Sequence, residues 1–380
     1  MRRTIFEEDH QDFRDSVRAF LLKEAVPHTE RWEANGLVDR EFWTKAAAQG
    51  MVVFSAPEEH GGAGLSDFRF NAVIDEQVAL TGAVGDNFNL TNDIAAPYFL
   101  DLTTPEQQAR WLPELTSGAK IPAIAMSEPG AGSDLRGIAA TAVPQGDHYL
   151  LTGSKTFVTN GIQADLIIVA AYVRDGQSTN GMGLFVVESD MEGFSRGRKL
   201  SKVGRRAQDT SELFFEDVPV PAENVLGEPG RGLGYLMLNL PQERLSMAVV
   251  AVATAERALE ITLDYVRNRN AFGRPIGSFQ ANRFALAELA AEIKVARVFV
   301  DGCLGAHLTG ELSADDAAAA KLWTTELQVR VADRCLQLHG GYGYMDEYEI
   351  SRIWRDSRVT RIYGGTSEIM KEIIGRSLEI

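Results

Sequence analysis

Glu243 is the residue whose setting in the sequence points most directly to chemistry. Read as a helix, its segment has a stripe that is otherwise apolar or nearly so, with Leu236, Leu240, Met247, Val250 and Thr254. Burial in such a stripe would raise the pKa of a carboxylate, and a general base working near neutral pH needs a raised pKa. Two other interpretations stay open: a partly exposed glutamate on an accidental stripe, or a glutamate paired with a distant arginine.

A tight loop is predicted within the segment AMSEPGAGSD, residues 125–134. Its Pro129, Gly130 and Gly132 favour a turn rich in open backbone amides, which can approach a planar or anionic ligand closely. The same residues also suit an ordinary turn between two strands.

Two further segments are unusual. The alternating run KTFVTNG is typical of a strand and would place Phe157 and Thr159 on the same face. The segment QLHGGYGYM, from Gln337 to Met345, reads as a helix end that runs into a glycine-rich turn.

The segment IYGGTSEIM, residues 362–370, predicts a helix start beside open backbone amides. Thr366 or Ser367 can cap the helix, and Gly364 and Gly365 carry no side chains over the amides before it. A helix start of this kind attracts phosphate, or a carbonyl oxygen that develops negative charge.

Several common chemistries lack their motifs in this chain. It contains no GxGxxG or Walker loop, no GxSxG and no HExxH. The two cysteines, Cys303 and Cys335, have neither CxxC nor Cys/His ligand spacing, so we expect no disulfide and no zinc or other metal site.

The acidic net charge limits the kinds of partner that the chain is expected to bind. With 53 Asp+Glu against 38 Lys+Arg, the net charge is −15, which argues against nucleic acid. The N-terminal segment lacks the apolar stretch of a secretory signal, and no apolar run is long enough for a membrane span, so a cytoplasmic location is expected. One basic cluster is interpreted as a solvated barrel edge: Arg196, Arg198, Lys199, Lys202, Arg205 and Arg206.

The elements that must position these residues fall into three blocks. Residues 1–120 and 231–380 show helical periodicity, whereas 121–230 consists of short β-prone runs between Gly, Asp, Asn and Pro. This order predicts three domains, with an antiparallel sandwich or barrel in the middle. Pro241 should kink or interrupt the first long C-terminal helix, or mark its start. The long helices are expected at 233–267, 279–309, 313–338 and 366–377.

Six motifs together resemble the acyl-CoA dehydrogenase family. They are the four segments above with FEDVPVPAENVLG and RNRNAFGRPIGSFQ, and they follow the family's order over essentially the whole chain. The resemblance implies a mainly α fold with an N-terminal helical domain, a central β-barrel and a C-terminal four-helix bundle. It also implies a homotetramer, as a dimer of dimers, with one FAD per subunit and an acyl-CoA substrate.

The matched positions imply a set of FAD contacts. In the sheet domain these are Met126, Ser127, Gly132, Ser133, Phe157 and Thr159, where Ser133 is also near CoA and Phe157 replaces a common Trp. The positions that reach the FAD of a neighbouring subunit are Arg269, Phe272, Gln280, Gln337, Gly340 and Gly341. Thr366 and Glu368 match contacts at the last helix.

The chain departs from the commoner family pattern at Gly364. Most members carry the catalytic glutamate in IYEGT, whereas this chain has IYGGT. Isovaleryl- and long-chain-type members place the base on the first bundle helix instead, at the position that Glu243 matches. The neighbouring motifs, such as LPQERL, look most like the long-chain branch.

The resemblance implies a separate role in the reaction for each residue of the site and for the flavin. The thioester carbonyl would lie between the N–H of Gly364 and a flavin ribityl hydroxyl, and Gly365 would also contact the substrate. Glu243 would take the α-proton, and the β-hydrogen would leave as hydride to flavin N5, giving a trans-2-enoyl thioester. Arg244 would either hold polar groups of CoA or form a salt bridge that orients Glu243. An electron-transfer flavoprotein would accept the electrons.

Other functions stay open at this point. The same fold can serve a flavin oxidase or monooxygenase, a dehydrogenase of carrier-protein thioesters, or a non-catalytic scaffold that binds flavin or CoA. Acyl-chain length depends on the packing of Phe88, Leu90 and Ile94, which the motifs do not fix. Replacing Gly364 with Glu is predicted to restore a base, unless the new carboxylate crowds the substrate.

Overall fold

The computed structural model describes residues 3–85, 87–176 and 178–379, and its first part is helical. The helices of this part are α1 (Glu8–Glu24), α2 (Thr29–Asn35), α3 (Arg40–Ala47), α4 (Phe68–Thr81), α5 (Ala96–Asp101) and α6 (Pro105–Thr116). Asp67 caps α4 by accepting a hydrogen bond from the N–H of Arg69. Between α4 and α5, Asn89–Ala95 form a π-helix, a rare winding that often marks a functional site.

The middle part is a seven-stranded sheet. Its strands are β1 (Pro122–Ala125), β2 (Thr141–Gln145), β3 (His148–Thr159), β4 (Leu166–Asp175), β5 (Ser178–Glu188), β6 (Phe194–Lys199) and β7 (Thr210–Pro221). The strand order is β1–β4–β2–β3–β7–β6, and β5 also pairs with β4. Strands β1 and β2 run parallel to β4, whereas the other pairs are antiparallel.

The sheet is curled but open, so the predictions of a closed β-barrel and of a purely antiparallel sheet are wrong. Within the described residues, neither β1 nor β5 pairs with β6 at the other end of the sheet. Helices cover the apolar face instead: Trp43, Phe88 and Trp111 share one hydrophobic core with Ile168 and Phe185 of the sheet. Because the helices bury this face, the sheet does not have to close on itself to bury it.

The last part consists of long helices, and the first of them continues through Pro241. They are α7 (Gly232–Asn268), α8 (Gln280–Leu308), α9 (Ala314–His339), α10 (Glu349–Ser357) and α11 (Ser367–Ser377), with the short strands β8 (Asn270–Ala271) and β9 (Arg274–Pro275) paired between α7 and α8. The predictions that Pro241 interrupts or starts α7 are therefore wrong. Its missing N–H leaves the carbonyl of Met237 without a helical partner, but Met237 is exposed, so water can bind there.

A second hydrophobic core lies among α7, α8 and α9 and includes α4, with Val249, Leu289, Val331 and Ala72 among its members. Helix α7 therefore packs against both helical parts of the molecule. The cysteines of α8 and α9 are buried free thiols. None of the helices in the described part of the chain is long and apolar enough to cross a membrane. The domain limits at 120 and 230 stay a prediction.

The predicted basic cluster largely binds its own chain. Arg196 donates hydrogen bonds to the carbonyls of Gly161 and Ala164, and Lys202 donates to the hydroxyl of Thr210 at 2.8 Å. Side chains of the cluster therefore form hydrogen bonds with the loops and strands of the sheet. The prediction that the cluster is only a solvated edge is incomplete.

Candidate active site

Glu243 is buried in α7, with 3% of its surface exposed. Leu236, Met247 and Val250 of the same stripe are buried as well, and the other two members are half-buried. The burial predicted from the stripe is confirmed, and the alternative of a partly exposed glutamate on an accidental stripe is wrong.

The hydrogen-bond partner of Glu243 is Tyr98 of α5, whose buried phenol donates to the carboxylate Oε1 at 3.3 Å. Among the described residues, no arginine forms an ion pair with Glu243, so the alternative of a distant arginine partner is also wrong. Burial raises the pKa of Glu243 to about 7, while the hydrogen bond from Tyr98 and the charge of Arg244 act in the opposite direction. The carboxyl group can therefore both take up and release a proton near neutral pH.

Arg244 is buried next to Glu243 but does not form the salt bridge that one prediction gave it. Its Nε has no hydrogen-bond partner in the part of the chain that the structure describes. Burial lowers the pKa of Arg244, and the charge of Glu243 partly offsets that effect. A buried guanidinium with an open donor is suited to a polar or anionic group of a ligand.

Gly364 and Gly365 form the turn that leads into α11. Their φ angles are +62° and +97°, a region that favours glycine. Thr366, one of the two predicted caps, accepts a hydrogen bond from the N–H of Ile369 at 3.3 Å.

Lys321 of α9 supports this glycine turn through a hydrogen bond. Its buried Nζ donates a hydrogen bond to the carbonyl of Gly365. Burial, together with the nearby charge of Arg244, lowers the pKa of Lys321 to about 8. Lys321 was not predicted from the sequence, because nothing in the alanine-rich run around it indicates a contact with a turn 44 residues away.

An apolar wall connects the π-helix, α7 and the glycine turn. Leu90 and Ile94 of the π-helix form a buried cluster with Met247 of α7. Met247 also lies against Gly364, since a β-carbon on that glycine would be 2.4 Å from the Met247 Sδ. The glycine turn therefore faces the stripe of α7 that carries Glu243.

One residue predicted to set the depth of the pocket lies elsewhere. The ring of Phe88 packs against Trp43 in the N-terminal core, with 5.2 Å between ring centroids. Leu90, Ile94 and Tyr98 follow at intervals of four, and all three lie towards α7. This interval is the one sequence signal that could have identified Tyr98 as the partner of the glutamate.

The loop predicted at 125–134 is a tight turn that a buried ion pair holds in place. Glu128 and Ala131 exchange two backbone hydrogen bonds, of 2.8 and 3.1 Å. Lys155 of β3 donates to Glu128 Oε1 at 2.8 Å and to the carbonyl of Met126 at 3.0 Å. No role was predicted for Glu128 or Lys155, although Glu128 lies within AMSEPGAGSD and Lys155 within KTFVTNG.

Strand β3 presents Phe157 in an unusual conformation. Phe157 has a φ of +58° and is 71% exposed, which is rare for a large aromatic side chain and often marks a functional site. A β-bulge between Lys155 and Val158 breaks the predicted alternation, so that Lys155 and Thr156 are both buried. Beyond the bulge, Val158 is buried while Thr159 is half-buried, as expected if Thr159 shares the open face of Phe157.

Comparison with known proteins identifies the family. The chain matches the acyl-CoA dehydrogenase N-terminal domain over residues 7–119, the middle domain over 123–218 and the C-terminal domain over 230–379. The chain belongs to the acyl-CoA dehydrogenase family.

Similar members of the family are known in sequence and in structure. The chain is 48% identical to the mitochondrial long-chain specific acyl-CoA dehydrogenase of Mus musculus, over 99% of this chain and 88% of that protein. An acyl-CoA dehydrogenase structure from Geobacillus kaustophilus is 47% identical, covers 100% of both chains and has a TM-score of 0.96. A chain from a structure of the electron transferring flavoprotein of Acidaminococcus fermentans is 32% identical, with 98% of each chain covered and a TM-score of 0.89.

Members of the acyl-CoA dehydrogenase family depend on FAD, and the described residues fit this cofactor. In the turn at 125–134, a β-carbon at Gly132 would meet nothing within 4 Å, and Ser133 is exposed, so the turn is open to a ligand. The exposed ring of Phe157 offers an apolar surface to a planar group. A separate cavity of about 550 Å³ is lined by four of the predicted inter-subunit contacts: Arg269, Gln337, Gly340 and Gly341.

Three predicted cofactor residues lie outside these surfaces. Phe272 is 96% exposed at the β8–β9 hairpin, and Gln280 is exposed at the start of α8. Glu368 is exposed in the first turn of α11. All three side chains are exposed, and their contacts with FAD stay a prediction.

Proposed function

We propose that this chain catalyses FAD-dependent α,β-dehydrogenation of an acyl-CoA thioester, with Glu243 as the catalytic base. One observation carries the proposal: a buried glutamate with a pKa near 7 lies on the stripe of α7 whose next turn, at Met247, touches the glycine turn. In most members of the family the base lies in that turn. A base on α7 would therefore face the same substrate pocket from the opposite side.

Each residue of the site has a separate role in the proposed reaction. Glu243 removes the α-proton of the acyl chain, and Tyr98 holds Oε1 in place. The amide of Gly364 donates to the thioester carbonyl and stabilises the charge that develops there. Lys321 fixes the turn by binding the Gly365 carbonyl. FAD, when bound, supplies the acceptor for the β-hydride.

The cofactor is proposed to lie between the sheet and the C-terminal helices. Two groups of residues would hold it within one subunit: the turn with Met126, Ser127, Gly132 and Ser133, and the strand end with Phe157 and Thr159. Thr366 and Glu368 would contact it at the start of α11, where a helix N-terminus favours a polar or anionic group. The buried pair Glu128–Lys155 supports the first group by holding the carbonyl of Met126.

A homotetramer is proposed as the assembly, with part of each FAD site supplied by a neighbouring subunit. Exposed apolar side chains on one side of α8 support an interface there: Phe284, Val295, Val298 and Phe299. The neighbouring subunit would contribute the cavity lined by Arg269, Gln337, Gly340 and Gly341, together with Phe272 and Gln280. Light scattering of the purified protein tests this, and a monomer that retains FAD would contradict it.

The substrate is proposed to be a long-chain acyl-CoA. The similar mouse enzyme is named for such substrates, and the wall of Leu90, Ile94 and Met247 is apolar. Arg244, Ser133 and Gly365 are proposed to bind the polar end of the substrate.

An electron-transfer flavoprotein is the proposed acceptor, and a cytoplasmic location is the proposed setting. The similarity to a chain from an electron transferring flavoprotein structure supports the acceptor. Reoxidation of the reduced enzyme by that flavoprotein under anaerobic conditions tests it. Fast reoxidation by O₂ with release of H₂O₂ would favour an oxidase instead.

An anaerobic titration tests the proposed reaction. The purified holoenzyme is mixed with straight-chain acyl-CoAs of increasing length, and loss of the oxidised flavin absorbance is recorded. We expect bleaching that is most efficient with long chains. In Glu243→Gln, FAD should remain bound while bleaching is lost, and full-rate bleaching by this variant would remove Glu243 from the mechanism.

A further inference from the structure

The space beside Gly364 is filled by a single side chain, that of Met247. A β-carbon built on Gly364 would lie 2.4 Å from both Sδ and Cε of Met247. Apart from its chain neighbours, no other heavy atom of the described residues lies within 4 Å of that point. The thioether alone therefore determines whether anything larger than hydrogen fits there.

Met247 holds this position from a packed setting. It follows Glu243 by one helical turn on the same stripe, and it is 5% exposed within the cluster with Leu90 and Ile94. Methionine is unbranched and adapts its shape, so it can fill a gap between a helix and a turn closely without backbone strain.

We propose that Met247 is a specificity-determining residue that selects acyl chains without a branch on Cα. The inference rests on the proposed function, in which the carbonyl binds at Gly364 and the α-hydrogen faces Glu243. These two contacts place Cα between α7 and the glycine turn. The remaining substituent on Cα then has to fit the wall to which Met247 contributes, and a methyl group there would displace the thioether.

The same contact explains why the base stays on α7. A glutamate at position 364 would place its β-carbon inside the Met247 side chain, besides adopting a φ of +62°. A base in the turn and a methionine at position 247 are therefore mutually exclusive unless the methionine moves. In this chain Gly364 and Met247 form one steric unit, which means that a larger side chain at position 364 fits only if the Met247 side chain moves or becomes smaller.

The first test compares substrates. For Met247→Ala, the ratio of kcat/KM for a 2-methyl-branched acyl-CoA to that for the straight chain of equal length should rise about tenfold or more, the usual effect of one methyl group in a tight pocket. Ile94→Ala is the matched control, because it empties a comparable volume of the same cluster away from Gly364. An unchanged ratio in Met247→Ala, or an equal rise in Ile94→Ala, would overturn the proposal.

The second test does not depend on catalysis. Gly364→Ala is made in the wild type and in Met247→Ala, and Tm is measured for all four holoenzymes. The cost of alanine at positive φ is common to both backgrounds, whereas the clash exists only with Met247. The loss of Tm caused by Gly364→Ala should be clearly smaller in Met247→Ala, and an equal loss would overturn the steric unit. If the steric unit holds and Glu243→Gln still bleaches, the proposed function fails and this contact stands.

Discussion

Two buried glutamates of this molecule, Glu76 in α4 and Glu243 in α7, have opposite settings. Glu76 is 1% exposed and accepts hydrogen bonds from Arg3, Arg14 and Arg297. Glu243 is 3% exposed, and among the residues that the structure describes it accepts one hydrogen bond, from the neutral phenol of Tyr98.

The difference shows in their proton affinities. Burial alone would raise the pKa of Glu76, but the charges of Arg297 and Arg3 outweigh burial and hold that pKa below its usual value. Burial dominates at Glu243 and raises the pKa to about 7. Burial therefore does not distinguish a structural carboxylate from a catalytic one in this fold, whereas the presence of compensating cations does.

Replacing each glutamate by glutamine should separate the two sites most strongly. Glu243→Gln is expected to lower the rate of flavin reduction by about 10²–10⁴-fold, the usual contribution of a general base, with FAD retained. Glu76→Gln should instead leave buried arginines without their counter-charge and lower the free energy of unfolding by about 3–5 kcal/mol. Stopped-flow reduction and urea unfolding measure the two effects. Asp264→Asn, which breaks an exposed pair with Arg267, is the control and should change neither appreciably.

The pH dependence of stability should have opposite signs at the two sites. A glutamate with the ordinary value of 4.5 deprotonates on unfolding, whereas folded Glu243 keeps its proton up to about pH 7. Its contribution, about 3 kcal/mol at 1.36 kcal/mol per pH unit, is therefore complete below pH 4.5 and lost as pH rises through 7. The contribution of Glu76 is present above its unfolded pKa and is lost as pH falls through its depressed folded pKa.

Urea unfolding of the wild type and of each glutamine variant across pH 4.5–8 measures these contributions by difference. Over that range the wild type should lose stability relative to Glu243→Gln as pH rises, and it should not do so relative to Glu76→Gln. A flat difference for Glu243 would show that its carboxyl group is not held protonated by burial.

Tyr98→Phe should make Glu243 still less like Glu76 by removing the hydrogen bond that Tyr98 donates to its carboxylate. The hydrogen bond lowers the pKa of Glu243, so the acid limb of the rate profile for flavin reduction should move upward by about one pH unit. Tyr172→Phe, whose phenol donates to the carbonyl of Arg136 on the sheet, is the control. A lower rate at all pH values without a shift would mean that Tyr98 only supports packing.

The smallest change is expected from moving the carboxylate to the turn. Glu243→Gln/Gly364→Glu should show almost no recovery of flavin reduction, because the new side chain meets Met247 at its β-carbon. Adding Met247→Ala should allow a measurable part of the rate to return. Full recovery of flavin reduction in the double variant, which retains Met247, would mean that the Met247 side chain moves aside easily.

The sequence predicted those features that depend on local pattern. The burial of Glu243 followed from a stripe within one helix, and the cap Thr366 followed from the residue types at a helix start. The open turn at Gly364 and Gly365 was recognised in the same way. Such features are set by residues a few positions apart, so the sequence contains all the information they need.

The features that the sequence did not predict depend on distant contacts. Tyr98 reaches Glu243 across 145 positions, and Lys321 reaches Gly365 across 44. The open sheet depends on which helices cover it, and the passage of α7 through Pro241 depends on the exposure of Met237. Neither the pairing of strands nor the packing of helices can be read from periodicity alone.

The wide winding of Asn89–Ala95 has an evolutionary consequence. A π-helix differs from an α-helix by about one extra residue in a turn. Losing one codon in this stretch would tighten the winding to that of an α-helix, and the tighter winding would compensate for the missing residue, so that the residues on either side keep nearly the same relative orientation. If the lost residue lies between Leu90 and Ile94, the side chains of Leu90, Ile94 and Tyr98 would be spaced by three and by seven positions, which still share one face of an α-helix, so this stretch should tolerate a single in-frame deletion without loss of the acyl wall or of the partner of Glu243.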